Sequence, residues 1–382
     1  MKILIALTSF KGTIPAAAAC HTVAASLKTF TKDVDTLAIS DGGDGLLESI
    51  SACYPTTTVN LEVTGALGEK ISSKYLLWKK PGDKTAFIEV AQICGLAQIA
   101  PHRRNPMITT TYGVGEMIAH VLRRRVKTIY IGLGGSATQD GGAGMAQALG
   151  AKLLDTGKKS IGFGCGWLQA LSNINIHRLE PRLKRARIIA LSDVTNPLLG
   201  EQGTARVYAP QKGADAQQVK IIENALANFA GVVEKDLKKD IRDFPGAGAA
   251  GGLGAGLAAF TNAKIVPGAL TLLELLNAKE KIAQADIVIV GEGKLDAQSL
   301  YGKATQAVSA LAHSMNKKVY GIFGQIDSGN ASLTKKLNLT SWVSLSDVAG
   351  SPEKAMAYPA EALTQATLKL FQKKEARHPV TC

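Results

Sequence analysis

Short apolar runs recur along this chain, and most of them end in a loop rich in glycine with Asp, Ser or Lys before an amphipathic stretch begins. That alternation is the signature of an α/β protein. It predicts strands over residues 2–7, 34–39, 127–132, 187–191, 286–290, 318–323 and 341–345. Helices are expected over 14–29, 114–124, 216–237, 270–277, 299–313 and 353–371. In the second of these, Met117, Ile118, Val121 and Leu122 fall on one face at helical spacing and belong to the core.

The middle of the chain behaves differently. Three β-type runs between residues 59 and 90 are split by the turn signals Gly65-Ala66-Leu67-Gly68 and Lys80-Pro81-Gly82-Asp83. Such spacing reads as antiparallel hairpins. A length of 382 residues suits two domains. The expectation is therefore one parallel-sheet domain from residues 1–60 and 285–382, with a mixed α/β domain, 61–284, inserted between them.

Composition narrows the function classes. Hydrophobic residues at 46% and charged residues at 20% exclude a disordered chain. The 39 glycines have no Gly-X-Y period and fall in clusters, so they mark tight loops. The net charge is +13, but its clusters (Arg123-Arg124-Arg125, residues 182–187, Lys238-Lys239) are not interleaved with aromatics, which are only 5% of the chain. These read as solvated helix faces that draw in anionic small molecules, not as a nucleic-acid footprint. Five cysteines with no Cys-x-x-Cys fit reduced thiols in a cytoplasm. The histidines form no zinc-site spacing. Met1-Lys2-Ile3-Leu4-Ile5 reads directly into a strand, without a signal-peptide layout. Residues 244–263 are uncharged, but Pro245 and six glycines make them a poor membrane span. No nucleic-acid or membrane partner is expected, and the oligomeric state is open.

In open α/β sheets, ligands gather beyond the carboxyl ends of the strands. Thr8-Ser9-Phe10-Lys11-Gly12-Thr13 follows the first run; its hydroxyls, N–H groups and Lys11 can hold a phosphate or carboxylate at a helix start. Ser40-Asp41-Gly42-Gly43-Asp44-Gly45 follows the second; its carboxylates, Asp41 first, suit Mg²⁺ or a substrate hydroxyl. The strongest local signal is residues 132–144. There Gly134, Gly135, Ser136 and Thr138 offer backbone N–H groups and hydroxyls to a polyphosphate. Leu191-Ser192-Asp193-Val194-Thr195-Asn196-Pro197 puts Asp193 at a strand tip as metal ligand or proton acceptor, with Asn196 to orient a hydroxyl or share the metal. Residues 291–303 crowd Glu292, Lys294, Asp296 and Lys303 into one loop and helix start, without a Walker pattern. Lys212, in Pro210-Gln211-Lys212-Gly213, is a further candidate for an anion. The glycine run 246–254 suits close packing of backbone against a ligand or another helix, the second being favoured.

Taken together and in this order, these segments resemble the bacterial two-domain (type 1) glycerate kinase family. The Ser-Phe-Lys-Gly loop, the Asp-Gly-Gly loop, Thr109-Thr110-Thr111-Tyr112-Gly113, residues 132–144, 193–198, 210–214, 246–256 and 291–303 all match. The resemblance implies a flavodoxin-like α/β domain plus a second α/β domain, an active site in the cleft between them, and ATP-dependent phosphorylation of D-glycerate with Mg²⁺, usually to 2-phosphoglycerate. Two positions depart from the family pattern: Thr8 where Asp is usual, and Gln139 where Asn is usual. The first removes one possible metal ligand or base, which leaves room for a weakened or redirected enzyme.

Phosphoryl transfer is mostly positioning and charge neutralisation. Lys11, Lys294 and Lys303 are assigned to phosphate or substrate carboxylate, and Gly134-Gly135-Ser136 to phosphates. Asp193 is the first choice as general base and Asp296 the rival, with Asp41 on Mg²⁺. Two other classes remain. Gly132-x-Gly134-x-x-Ala137 satisfies the loose dinucleotide pattern of an oxidoreductase, which then needs an acidic residue ending the next strand; Asp155 is the nearest. A nucleic-acid binder would use the basic excess, against which the scarce aromatics argue.

Overall fold

The computed structural model describes residues 1–10, 12–80, 83–296, 304–327 and 332–375. Its strands in chain order are β1 (Ile3–Leu7), β2 (Val34–Thr36), β3 (Thr56–Thr64), β4 (Lys70–Lys80), β5 (Asp83–Glu89) and β6 (Thr128–Gly132). Then come β7 (Lys152–Leu154), β8 (Asn173–Asn175), β9 (Arg187–Leu191), β10 (Lys264–Val266), β11 (Ile287–Leu295), β12 (Lys318–Ile326) and β13 (Ser341–Ser344). The chain is an α/β protein of two compact units. One comprises Met1–Asp41, Glu48–Tyr54 and Ala269–Cys382; the other Gly42–Leu47 and Pro55–Gly268. Among the described residues no helix is long and apolar enough to cross a membrane.

The first unit holds a five-stranded sheet in the order β13-β12-β11-β1-β2, with every pairing parallel. All five residues of β1 are buried, as expected of a strand covered on both faces. Helices Ala16–Ser26 and Pro359–Glu375 join one core with it, where Phe371 lies 5.5 Å from Phe30 and 5.6 Å from Tyr320 between ring centroids.

Two expectations change here. The stretch over 353–371 is two helices, Pro352–Ala357 and Pro359–Glu375, because Pro359 cannot continue a helix and Tyr358 before it leaves helical geometry. The predicted loop after residue 290 is strand: β11 runs on to Leu295 and pairs with β12 as far as Ile326. Glycine permits this. A Cβ on Gly291 would lie 2.0 Å from the Ile322 carbonyl oxygen, and one on Gly324 would lie 2.2 Å from that of Gly293.

The second unit holds a six-stranded sheet, β10-β9-β6-β5-β4-β3. The expected hairpins are β3–β4 and β4–β5, both antiparallel, while β5, β6, β9 and β10 pair in parallel. Helix Tyr112–Arg123 buries Val114, Met117, Ile118, Val121 and Leu122 in the core it shares with Ile129 and Ile131 of β6. A separate core forms around helix Ala216–Leu237, whose start is fixed by a reciprocal Asp215–Gln218 capping box.

The glycine run packs as backbone against backbone. Within helix Ala249–Thr261, Ala250, Gly251 and Gly252 leave helical geometry, with φ of 52°, 71° and 86°. A Cβ on Gly251 would lie 1.7 Å from the Thr138 carbonyl oxygen, so this turn approaches residues 138–141 as only glycine can. Gly251→Ala should therefore destabilise the chain by about 2–4 kcal/mol, combining left-handed strain with overpacking. Gly231, inside helix Ala216–Leu237 with nothing within 4 Å of a built Cβ, should instead gain about 0.5–1 kcal/mol as Ala. Denaturant unfolding of both variants checks the contrast.

Candidate active site

Parallel register aligns the strand ends of the second unit. Glu89 pairs with Gly132, Gly132 with Leu191, and Leu191 with Val266, so four adjacent strands end in one row. At strand spacing this row is about 14 Å long. Beyond it lie the loops that sequence reasoning singled out in this unit.

Glycines let these loops close on one another. Gly42, at φ +78°, has room for no side chain: a Cβ would lie 2.8 Å from Gly268 Cα and 2.9 Å from Leu191 Cβ. A Cβ on Gly132 would lie 2.3 Å from the Gly42 carbonyl oxygen, and one on Gly134 would lie 2.9 Å from Gly43 Cα. The Asp-Gly-Gly loop thus sits against the tips of β6 and β9, beside the glycine loop that follows β6. Gly134 and Gly135 are exposed. Ser136 is buried, and its hydroxyl lies 3.2 Å from Thr138 Oγ1 and 3.5 Å from Lys212 Nζ.

Two buried charges hold the glycine loop. Asp140 is fully buried and accepts from Thr111 N (2.8 Å), Thr111 Oγ1 (2.9 Å), Gly142 N (3.1 Å) and Gly144 N (3.2 Å). Burial pushes its carboxyl up, and those donors pull it back towards the ionised form. Thr111 Oγ1 also accepts from Met145 N, and Thr109 Oγ1 donates to the Ala137 carbonyl. The Thr109-Thr110-Thr111 motif is therefore a clamp on the loop. On its other side, Lys212 is only 4% exposed and donates to the Thr138 carbonyl at 2.8 Å. The short helix Pro210–Lys212 ends at Gly213, whose φ of +99° lets the chain pass against the Arg104 carbonyl. Burial pulls the Lys212 ammonium down to about 8, while the Cys94 and Asp140 charges act in the opposite sense.

After β9, Asp193 is half-buried, two residues beyond Leu191. Asn196 braces its own loop: Nδ2 donates to the Gln202 carbonyl at 2.8 Å and Oδ1 accepts from Tyr208 OH at 2.7 Å. Gln139, one of the two departures from the family pattern, is fully buried and exchanges hydrogen bonds with Thr204. The extra methylene relative to Asn reaches an internal partner.

In the first unit, Ser9 follows β1 and Asp41 follows the extended segment after β2. Thr8, the other departure, places its hydroxyl 3.2 Å from the Gly291 carbonyl of the neighbouring strand. Lys294 lies within β11 and Asp296 directly after it. Lys11 and Lys303 lie outside the described residues. Among the described residues no group of three or more His, Cys, Asp or Glu side chains is arranged to hold a metal. The Asp155 required by a dinucleotide fingerprint follows β7, which forms a two-stranded antiparallel ribbon with β8 and is not among the strands of the six-stranded sheet.

Lys212 gives this account a pH signature. The folded chain loses the Lys212 proton near pH 8, whereas an unfolded lysine keeps it to about pH 10.4. Across that window the unfolded state binds more protons, so wild-type stability rises with pH relative to Lys212→Met, by up to about 1.4 kcal/mol per pH unit. Denaturant unfolding of both proteins across the window measures the difference; one that stays flat would contradict the burial of the ammonium.

The Glycerate kinase family pattern matches residues 3–374. The chain is 42% identical over 329 residues to the Glycerate 2-kinase of Escherichia coli (strain K12), covering 85% of this chain and 86% of that one. It is 41% identical over 327 residues to the Glycerate kinase of Haemophilus influenzae, with 85% and 86% covered. A crystal structure of a candidate glycerate kinase 2 from Salmonella typhimurium LT2 superposes with a TM-score of 0.80 at 36% identity, covering 98% of each chain. The chain belongs to the glycerate kinase family.

Proposed function

We propose that this chain is an ATP-dependent kinase that phosphorylates D-glycerate to 2-phosphoglycerate with Mg²⁺. The observation that supports the proposal is the row Glu89, Gly132, Leu191 and Val266, beyond which the exposed Gly134-Gly135 backbone and the Gly42-Gly43 turn lie together at one sheet edge. For the first unit we propose the flavodoxin-like fold. Counting only its own strands, its order is 2-1-3-4-5, the order of that fold.

The residues suit ATP and Mg²⁺ in chemistry. Gly134 and Gly135 present exposed backbone where side chains would intrude, which suits the oxygens of a polyphosphate. Asp41 and Asp193 are hard oxygen donors, and Mg²⁺ in such sites takes one or two carboxylates and fills its remaining positions with phosphate and water. When bound, Mg²⁺ would neutralise phosphate charge.

The remaining work falls to the chain. Gly134 and Gly135 bind phosphates, while Ser136, held by Thr138 and Lys212, keeps their amides in place. Lys11, Lys294 and Lys303 neutralise phosphate and the glycerate carboxylate, two anions that otherwise repel. Asp193 accepts the proton of the attacking hydroxyl, a role worth about 10²–10⁴-fold, with Asp296 as the rival. Asn196 orients the substrate indirectly, through the loop it braces.

A coupled ADP-release assay with D-glycerate, L-glycerate and related hydroxy acids tests the reading. ADP release with D-glycerate is expected, and none with any of them would remove it. Asp193→Asn should lower turnover by about 10²–10⁴-fold while nucleotide binding survives. Full turnover in that variant would move the base to Asp296.

A further inference from the structure

Glu89 has no part in the reaction as drawn, yet it is the most buried carboxylate beside the candidate site after Asp140. It ends β5, is 1% exposed, and pairs with Gly132, the residue at which the phosphate-type loop begins. An ionised side chain at such a place is costly unless its oxygens are satisfied. Its partners come from two segments. Oε2 accepts from the backbone N–H of Leu47 at 3.1 Å, and Oε1 accepts from Gln92 Nε2 at 3.2 Å. The backbone N–H of Gly45 donates to it as well. Burial raises its carboxyl, Leu47, Gln92 and Gly45 oppose that rise, and the Asp44 charge adds to it.

Leu47 and Gly45 both belong to the segment Gly42–Leu47, which packs with the second unit. That segment carries Asp44 and begins one residue after Asp41, the proposed Mg²⁺ ligand. Its glycines leave the backbone little stiffness of its own. The close approaches of Gly42 to Leu191 and Gly268, and of Gly132 to the Gly42 carbonyl, supply shape without direction. Glu89 supplies direction, since two amides aimed at one buried carboxylate fix the orientation of the peptide planes around Asp44.

We propose that Glu89 is a positioning residue that fixes the Gly42–Leu47 segment at the β5 tip, and through it the carboxylates of Asp44 and Asp41 for the phosphoryl-transfer step. The functional half of this rests on the kinase reading above; the structural half does not. A carboxylate loop displaced by about 1 Å can cost up to about 10²-fold in rate, so the effect on catalysis should exceed the effect on binding.

The test compares the wild-type chain with Glu89→Gln, which keeps the shape and one acceptor oxygen, and with Glu89→Ala. Amide hydrogen exchange is read at Gly45 and Leu47, with Ile131 of β6 as the internal reference. Exchange at the two loop amides should accelerate at least about tenfold, more in Ala than in Gln, while Ile131 stays unchanged. Steady-state assays should show kcat falling about 10- to 100-fold with KM for ATP within about twofold. A residue that only stabilised the fold would instead raise exchange at Ile131 together with the loop and leave kcat of the folded fraction intact. That pattern, unchanged loop protection, or wild-type kcat in both variants would overturn the proposal. If the wild-type chain releases no ADP at all, the kinase reading fails on its own, and the exchange comparison still decides whether Glu89 holds this segment.

Discussion

Parallel pairing with no offset between strand ends is the constraint on which the candidate site depends. Because β5, β6, β9 and β10 terminate together, at Glu89, Gly132, Leu191 and Val266, the loops that leave them emerge side by side. A slip of one residue at any pairing would turn a strand's side chains to the opposite face. It would also carry one loop out of the row. The buried faces of these strands, with Ile129, Ile131, Ile188 and Ala190 in the core, make such a slip expensive.

On that base, the loops are fixed by a small number of buried polar groups. Asp140 gathers four donors from two segments, Lys212 caps the Thr138 carbonyl, and Glu89 gathers the amides of the Asp-Gly-Gly segment. Each is an ionisable group taken out of water, tolerable because it is hydrogen-bonded there. Glycine completes the arrangement by removing side chains where Gly251 meets Thr138 and Gly134 meets Gly43. The backbone at Gly134 and Gly135 stays exposed, and the proposed function assigns it to the phosphates. Preorganised amides of this kind stabilise phosphate charge without having to reorganise during reaction.

Much of this was legible in the sequence because strand, loop and helix signals are local. The apolar runs marked the strands, and the turn pairs at residues 65–68 and 80–83 marked the β3–β4–β5 meander. The helix expected over 216–237 matches Ala216–Leu237, and the structure adds the Asp215–Gln218 capping box that fixes its start. What stayed hidden depends on distant partners. Glu89 finds Leu47 across 42 positions, and Lys212, which its local motif offered as a candidate for an anion, finds the Thr138 carbonyl across 74; nothing local shows that either is buried. Thr109-Thr110-Thr111 was noticed as a motif, yet its role as a clamp appears only once Asp140 and Ala137 are beside it. The extension of β11 through Gly291 and Lys294 was hidden for another reason. Glycine and charge look like a loop until the neighbouring strand proves to carry Gly321 and Gly324.

The central claim is that anionic ligand meets this chain at the aligned strand tips of the second unit. Backbone amide resonances, followed while a non-hydrolysable ATP analogue and Mg²⁺ are added, test it most directly. The account predicts that Gly134 and Gly135 shift first and furthest, with Gly43 and Asp193 following. Shifts confined to the opposite edge of the sheet, at Thr128 and Arg187 where β6 and β9 begin, would contradict it.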